Sequence, residues 1–172
     1  MGEVVWVNPE RVVIKVMHRK GWREKPAFNG ELFSVNFNGK KSKLIYGYRT
    51  GSKRFSRWKS ERTQSIYGWA EVIDLLPNNP EYILISSTEM STAGDRLAKI
   101  HKLNVYSGEL SSAITRSPIP YAEFITDQAS NLRAAIGTND ANELKVFKFE
   151  QQAREWHEVP AKDYGTGFQP LN

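Results

Sequence analysis

The chain has 172 residues and no cysteine, which excludes disulfides, thiolate zinc sites and cysteine nucleophiles. It contains no apolar run of about 18 residues, so the sequence predicts no membrane span. The net charge of +5 is unevenly placed, because residues 40–62 hold nine Lys and Arg against the single acid Glu61. Subtracting these from the 24 basic and 19 acidic residues of the chain leaves 15 basic and 18 acidic residues elsewhere, so one segment carries the basicity.

The first predicted unit lies within residues 3–49 and holds four strands. Apolar runs at Val4–Val7 and Val12–Val16 flank the turn sequence Asn-Pro-Glu. The stretch GELFSVNFNGKKSKLIYG, which begins at residue 30, is typical of a β-hairpin that turns at Asn38-Gly39. In that hairpin we expect Phe33, Val35 and Phe37 to share one face.

Residues 50–68 form a predicted insert in which basic and aromatic residues alternate. Such a segment can bind nucleic acid through phosphate contacts and base stacking. A basic patch alone is a weak signal of that function, so we favour a solvated loop that meets an acidic surface of another domain. The residues of this possible binding surface are Lys53, Arg54, Arg57, Trp58 and Lys59.

The plan of the first unit returns twice, in residues 69–116 and 120–159. In the second unit the strand sequences AEVIDLL and EYILISS precede the hairpin LAKIHKLNVYSGELSSAIT. In the third, YAEFIT and LRAAIG precede ELKVFKFEQQAREWHEV. A repeat of about fifty residues built from four strands is typical of a β-propeller blade. We therefore predict an all-β fold, a partial β-propeller of about three four-stranded antiparallel blades over residues 3–159, with a three-sheet sandwich as the alternative.

Three blades do not close a propeller, which typically takes about four to eight. Residues 160–172 stand where a further blade is expected to begin. We therefore expect either an internal segment of a longer propeller or a chain that covers its open ends by self-association. Two copies would carry about six blades, within the closed range, so the second case predicts a dimer.

Catalytic and metal-binding motifs are absent from the sequence. It contains no G-x-S-x-G elbow, no H-E-x-x-H pair, no G-x-G-x-x-G and no phosphate-binding loop. The three histidines, His18, His101 and His157, are widely spaced, so we interpret them as exposed strand or loop residues. The sequence therefore predicts no catalytic residue, no cofactor and no metal.

Three carboxylates are the remaining candidates for general acid–base chemistry. Asp127 follows a predicted strand, and Glu71 and Asp74 lie on a predicted inner strand. Two acids beside a propeller channel can act as an acid and base pair. We favour turn capping for Asp127 and solvated charge for the other two.

Several stretches of the chain resemble the N-terminal β-propeller of bacterial serine peptidases of the prolyl oligopeptidase family. They are DLLPNNPEYILIS, IHKLNVYSGEL, FITDQASNLRAAIG and LKVFKFEQQAREWHEV. Asp127 stands at the acidic position that follows the strand in that pattern, and Leu103, Val105 and Gly108 stand in the hairpin pattern. The stretch GELFSVNFNGKKSKLIYGY matches the same hairpin one blade earlier. Other propellers, such as those of the TolB type, share this hairpin.

The resemblance implies a function without catalysis in this chain. In the family the propeller precedes an α/β-hydrolase domain with a Ser–Asp–His triad, and it admits only short, unfolded peptides. No position here matches the triad motifs. We therefore expect a segment that gates the access of oligopeptides to a hydrolase domain absent from this chain, in the cytoplasm or periplasm of a bacterium. The alternative is a TolB-like or scaffold propeller that binds protein or nucleic acid, and a self-contained enzyme is a third hypothesis.

Overall fold

The computed structural model of this chain describes residues 2–18, 21, 25–50, 66–90 and 96–164. Within them, twelve strands form three antiparallel sheets of four strands each, and one short helix follows the last strand. Each sheet is a meander, in which strands that follow one another in sequence are neighbours. The predicted all-β fold of about three four-stranded antiparallel blades, as in a partial propeller, is confirmed.

The first sheet contains β1 (Val4–Asn8), β2 (Arg11–His18), β3 (Ala27–Asn36) and β4 (Lys43–Tyr46). The hairpin turns at Asn38-Gly39 as predicted, but its loop holds three residues, 37–39, and not two. The N–H of Asn36 donates to the carbonyl of Lys40 (3.0 Å), and Gly39 has a positive φ of +77°. Here the backbone N–H of Phe37 donates to the carbonyl of Glu10 (2.9 Å), so the longer loop folds over the turn between β1 and β2.

The second sheet contains β5 (Gly68–Asp74), β6 (Tyr82–Glu89), β7 (Lys99–Asn104) and β8 (Thr115–Arg116). The edge strand β8 has only two residues, and an isolated bridge between Leu103 and Leu110 extends the pairing along β7. A short outer strand limits the unpaired backbone that the sheet offers to other chains.

The third sheet contains β9 (Glu123–Thr126), β10 (Leu132–Thr138), β11 (Leu144–Glu150) and β12 (Glu155–Val159). The helix α1 (Ala161–Tyr164) follows β12, and the Tyr164 hydroxyl donates to the carbonyl of Leu144 (2.9 Å). This bond holds the chain beyond the last strand against the beginning of β11.

The second sheet lies between the other two and is buried on both faces. The boundary between the first and second sheets, here called the first seam, contains Ile83 and Ile85 in a cluster of ten buried apolar residues. The boundary between the second and third sheets, the second seam, contains Leu84 with Ile100, Leu132 and Phe149. Consecutive apolar residues on β6 therefore point alternately into the two seams, as expected for a strand covered on both sides.

The face of the first sheet that points away from the second sheet is also apolar. Strand register places Val4 opposite Ile14 and Trp6 opposite Val12, and Ile14 lies opposite Phe33 on the next strand. The alternation of strand side chains puts all five on one face. Trp6 is 57 % exposed, so this apolar face remains partly open to solvent.

Candidate functional site

Asp127 caps the loop between β9 and β10. Its carboxylate accepts hydrogen bonds from the backbone N–H groups of Asn131 (2.9 Å) and Ala129 (3.0 Å) and from Arg133 Nε (2.8 Å). The bond from the Asn131 N–H is the largest of the effects that lower the pKa of Asp127 to about 2. Asp127 is therefore a turn-capping carboxylate that stays ionised near neutral pH.

Asp74 ends β5 and reaches across the second seam. Its two carboxylate oxygens accept hydrogen bonds from Thr126 Oγ1 (2.5 Å), on β9 of the third sheet, and from Ser130 Oγ (2.7 Å), in the β9–β10 loop. The backbone N–H of Leu76 donates to the same carboxylate (3.1 Å). Burial opposes the ionisation of Asp74, but these hydrogen bonds outweigh it and lower the pKa. Asp74 thus joins two blades, a role that its interpretation as solvated charge missed.

Glu71 lies on β5 and takes part in an ion pair across the first seam. Lys15 Nζ contacts the carboxylates of Glu71 (2.5 Å) and Glu3 (2.6 Å). Burial opposes the charge on Lys15, but its hydrogen bonds to these two acids raise its pKa. The three predicted acid–base candidates are therefore all held by structural partners, and Glu71 and Asp74 contact different sheets, Glu71 the first and Asp74 the third.

The three histidines lie in three different sheets. His101 Nδ1 lies 2.8 Å from the carbonyl of Ser111, and the exposed His157 lies 3.2 Å from Glu150 Oε2. In the ranges that the structure describes, no three His, Cys, Asp or Glu side chains converge in a way suited to a metal ion.

His18 belongs to a charged cluster with Glu31 and Arg49, which sequence reasoning missed. The Glu31 side chain is fully buried and contacts His18 Nε2 (2.6 Å), Arg49 Nε (2.7 Å) and Arg49 Nη2. Burial opposes the charge on Glu31, yet the hydrogen bonds from Arg49 and His18 lower its pKa. Gly47 lies against this carboxylate with φ +128°, and a Cβ there would be 2.6 Å from Glu31 Cγ. The cluster therefore fixes the chain where it leaves β4.

The predicted binding residues Lys53, Arg54, Arg57, Trp58 and Lys59 lie outside the described residues. The two ends of the insert are described, and they meet. The N–H groups of Thr50 (3.4 Å) and Ile66 (3.3 Å) both donate to the carbonyl of Gly47. The rings of Tyr48 and Tyr67 meet edge to face, with 6.0 Å between their centroids. We call this junction the neck of the insert.

Arg11 is a second buried charge that sequence reasoning missed. Only 1 % of the residue is exposed, and its guanidinium bridges the first seam. Nε donates to the carbonyl of Val105 (2.8 Å), Nη1 to Asn36 Oδ1 (2.6 Å) and Nη2 to the carbonyl of Lys41 (3.1 Å). The ring of Tyr106 lies 4.5 Å from the guanidinium carbon. The only sequence signal was an Arg directly before the apolar run Val12–Ile14.

A cleft of about 390 Å³ opens in the second seam, at the end of the sheets that carries the β5–β6, β9–β10 and β11–β12 loops. Its deeper wall is apolar and includes Leu84, Leu132 and Phe149, which belong to the core of this seam. Its outer wall carries amides, a hydroxyl and two cations, and none of the described residues that line it is acidic. The carboxylates of Asp74 and Asp127 lie behind this wall, where they accept hydrogen bonds from Ser130 and Asn131. The polar residues of the outer wall are Asn78, Asn79, Ser130, Asn131, Gln151, Lys102 and Arg154.

No helix in the described part of the chain has the length and apolar character that a bilayer crossing requires. Comparisons with protein-family models, with curated proteins and with solved structures find no match to this chain.

Proposed function

We propose that this chain is a non-catalytic β-propeller segment of a prolyl oligopeptidase-like serine peptidase, in which it gates the access of oligopeptides to a hydrolase domain. The observation that carries the proposal is that the candidate acid–base carboxylates are bonded to other parts of the protein in structural roles. Asp74 and Asp127 have lowered pKa values, whereas a general acid at neutral pH needs a raised one. These carboxylates hold blades and loops in place, which is what a gate requires.

Rigid seams are the physical basis of gating. A propeller excludes folded proteins only if neighbouring blades do not separate, so that a substrate must pass through a fixed opening. In the first seam Arg11 is bonded to the second sheet, and Tyr46 OH lies 2.6 Å from Ser87 Oγ. In the second seam Asp74 and the Trp156 indole N–H, which donates to the carbonyl of Arg116 (2.8 Å), supply the cross-blade bonds.

The proposal is tested on the product of the complete reading frame that contains this sequence. We expect the frame to encode further blades and a G-x-S-x-G elbow, and the product to hydrolyse a short peptide but not a folded protein. Asp74→Ala in that product should loosen the second seam and raise cleavage of larger substrates relative to the short peptide. A frame without a hydrolase domain would overturn the proposal. So would peptide turnover by this chain alone that a serine-directed covalent inhibitor abolishes.

The neck favours a second candidate, a propeller that binds a partner through its insert. The two described ends of the insert, at Thr50 and Ile66, both contact the carbonyl of Gly47, and the basic residues of the sequence lie between these ends. A titration with a single-stranded oligonucleotide at low salt tests this function. Salt-sensitive binding that is lost when Lys53, Arg54 and Arg57 are changed to Gln would favour a nucleic-acid-binding module over the gate.

A further inference from the structure

We propose that the cleft in the second seam binds a ligand that combines one apolar group with a carboxylate, of the kind found at the C-terminal residue of a peptide. The choice of a peptide rests on the proposed function, since oligopeptides end in such a group. The cleft itself is defined by this chain alone, so the site can be tested without a hydrolase domain.

The size and apolar wall of the cleft suit one large side chain. Its volume of about 390 Å³ lies within the range of roughly 300–1,000 Å³ that is usual for small-molecule sites. Leu84, Leu132 and Phe149 are nearly fully buried by the protein and present apolar surface at its deep end. An apolar ligand group placed there would lose its contact with water, which is the main source of affinity in such sites.

The charge of the outer wall selects an anion. Lys102 and Arg154 line the cleft, and in the described parts of the chain neither forms an ion pair with an acid. The exposed amides of Asn78, Asn79 and Gln151 stand on the same wall and supply both donors and acceptors. Arginine binds a carboxylate through two parallel hydrogen bonds, so Arg154 is the residue that we expect to fix the ligand's orientation.

In the described residues, the first seam differs from the second at the position that corresponds to the cleft. At the corresponding position of the first seam, Arg11 begins β2 and lies opposite Asn36. Its guanidinium fills the space with three hydrogen bonds to protein acceptors. In the second sheet, Tyr82 begins β6 and lies opposite Asn104 in the same register. Tyr82 packs beside the apolar core of the second seam, and the neighbouring volume remains open as the cleft.

The test uses two probes that differ only in charge, N-acetyl-L-phenylalanine and its C-terminal amide. Each is titrated into the isotopically labelled full chain at low ionic strength, and amide resonances are followed by NMR. We expect the carboxylate probe to bind about tenfold more tightly than the amide probe, a difference of about 1.4 kcal/mol. The shifted resonances should belong to residues 78–79, 102, 130–132 and 151–154.

The variant Lys102→Gln with Arg154→Gln should abolish the preference for the carboxylate. The matched control, Lys40→Gln with Lys148→Gln, removes the same charge from exposed residues that do not line the cleft and should retain the preference. Equal binding of the two probes, shifts elsewhere on the surface, or no saturable binding would each overturn the inference. These results do not depend on the reading-frame test. The proposed ligand site can therefore be disproved while the gating function is supported, and the gating function can be disproved while the ligand site is supported.

Discussion

The two seams of this molecule are built from the same four-strand unit and yet differ in how they are closed. The first seam has a cluster of ten buried apolar residues and the buried guanidinium of Arg11. The second has a cluster of five buried apolar residues, the carboxylate of Asp74 as a cross-blade acceptor, and an open cleft. A repeated backbone plan therefore does not dictate a repeated interface, because single side chains at strand ends decide whether the space between blades is filled.

The largest expected effect is at Gly30, where β3 of the first sheet lies against the backbone of β5 in the second sheet. Gly30 has φ +82°, and a Cβ there would lie 2.1 Å from the carbonyl oxygen of Gly68 and 2.6 Å from Trp69 Cα. Because both neighbours are backbone atoms, Gly30→Ala should lower the free energy of unfolding by about 3–4 kcal/mol. Chemical denaturation measures the loss.

Gly39 supplies the matched control for this prediction. It has a similar φ of +77°, but no atom lies within 4 Å of a Cβ built there. Gly39→Ala should therefore cost only the backbone strain, about 1 kcal/mol. If both variants lose the same free energy of unfolding, the contact between the two sheets does not exclude a side chain at residue 30, and the prediction is wrong.

The next largest effect is expected at Arg11. Replacing it with Ala leaves the buried acceptors of Val105 and Asn36 without their donors and opens a cavity. We expect the free energy of unfolding to fall by about 2–3 kcal/mol. Arg154→Ala is the control, because this exposed arginine makes no contact across the first seam, and its effect should stay within about 0.5 kcal/mol.

A smaller and pH-dependent effect is expected at Asp74 in the second seam. Its folded-state pKa is lowered, so the stabilisation it provides is complete above the ordinary pKa of an aspartate and is lost as the pH falls through the folded value. Asp74→Asn should lower the free energy of unfolding by about 1 kcal/mol at pH 7. The difference in the free energy of unfolding between this variant and the unsubstituted protein should become smaller as the pH falls from about 5 towards 3.

Glu31 and Asp127 also have lowered pKa values, so the protein as a whole should lose stability over the same acidic range. Because Glu31 and Asp127 are present in both proteins, their contributions cancel in the difference between the Asp74 variant and the unsubstituted protein. That difference therefore reports on the second seam. Asp140→Asn, in the exposed turn after β10, is the control and should show no such difference. A difference that stays constant down to pH 3 would contradict the assignment.

The smallest expected effect on stability is at Trp6. Substitution of this residue should instead change the association of the chain with a second copy. Trp6 is 57 % exposed on the open apolar face of the first sheet, so Trp6→Ser should change the free energy of unfolding by less than about 1 kcal/mol. If two copies cover these faces by self-association, light scattering should find dimers for the unsubstituted chain and monomers for the variant. If the unsubstituted chain is a monomer at all concentrations, the prediction of self-association is wrong.

The strand content and the number of sheets could be predicted because apolar runs and turn residues are local signals. Consecutive apolar residues such as Ile83–Ile85 are a local signal of a strand that is buried on both faces, and the structure places Ile83 and Leu84 in different seams. The position of the β3–β4 turn was predicted by Asn38-Gly39, but its length of three residues was not, and the hydrogen bond from Phe37 to the distant Glu10 was also not visible in the sequence.

The polar features of the two seams were harder to predict than the strands. Asp127 caps a turn within its own segment, and this role follows from local sequence. Arg11, Glu31 and Asp74 each form at least one bond with a residue between 13 and 94 positions away, and the sequence order alone does not bring such residues together. The cleft was missed for the same reason, since loops from two sheets form it.

The neck of the insert has a consequence for how this fold tolerates change in length. Because the N–H groups of Thr50 and Ile66 both donate to the carbonyl of Gly47, the two ends of the intervening segment are already held together by the folded blade. The entropy cost of closing such a loop rises by only about 0.6 kcal/mol for each doubling of its length. This junction is therefore a natural position at which a whole foreign domain can be spliced into the chain while the three blades keep their stability.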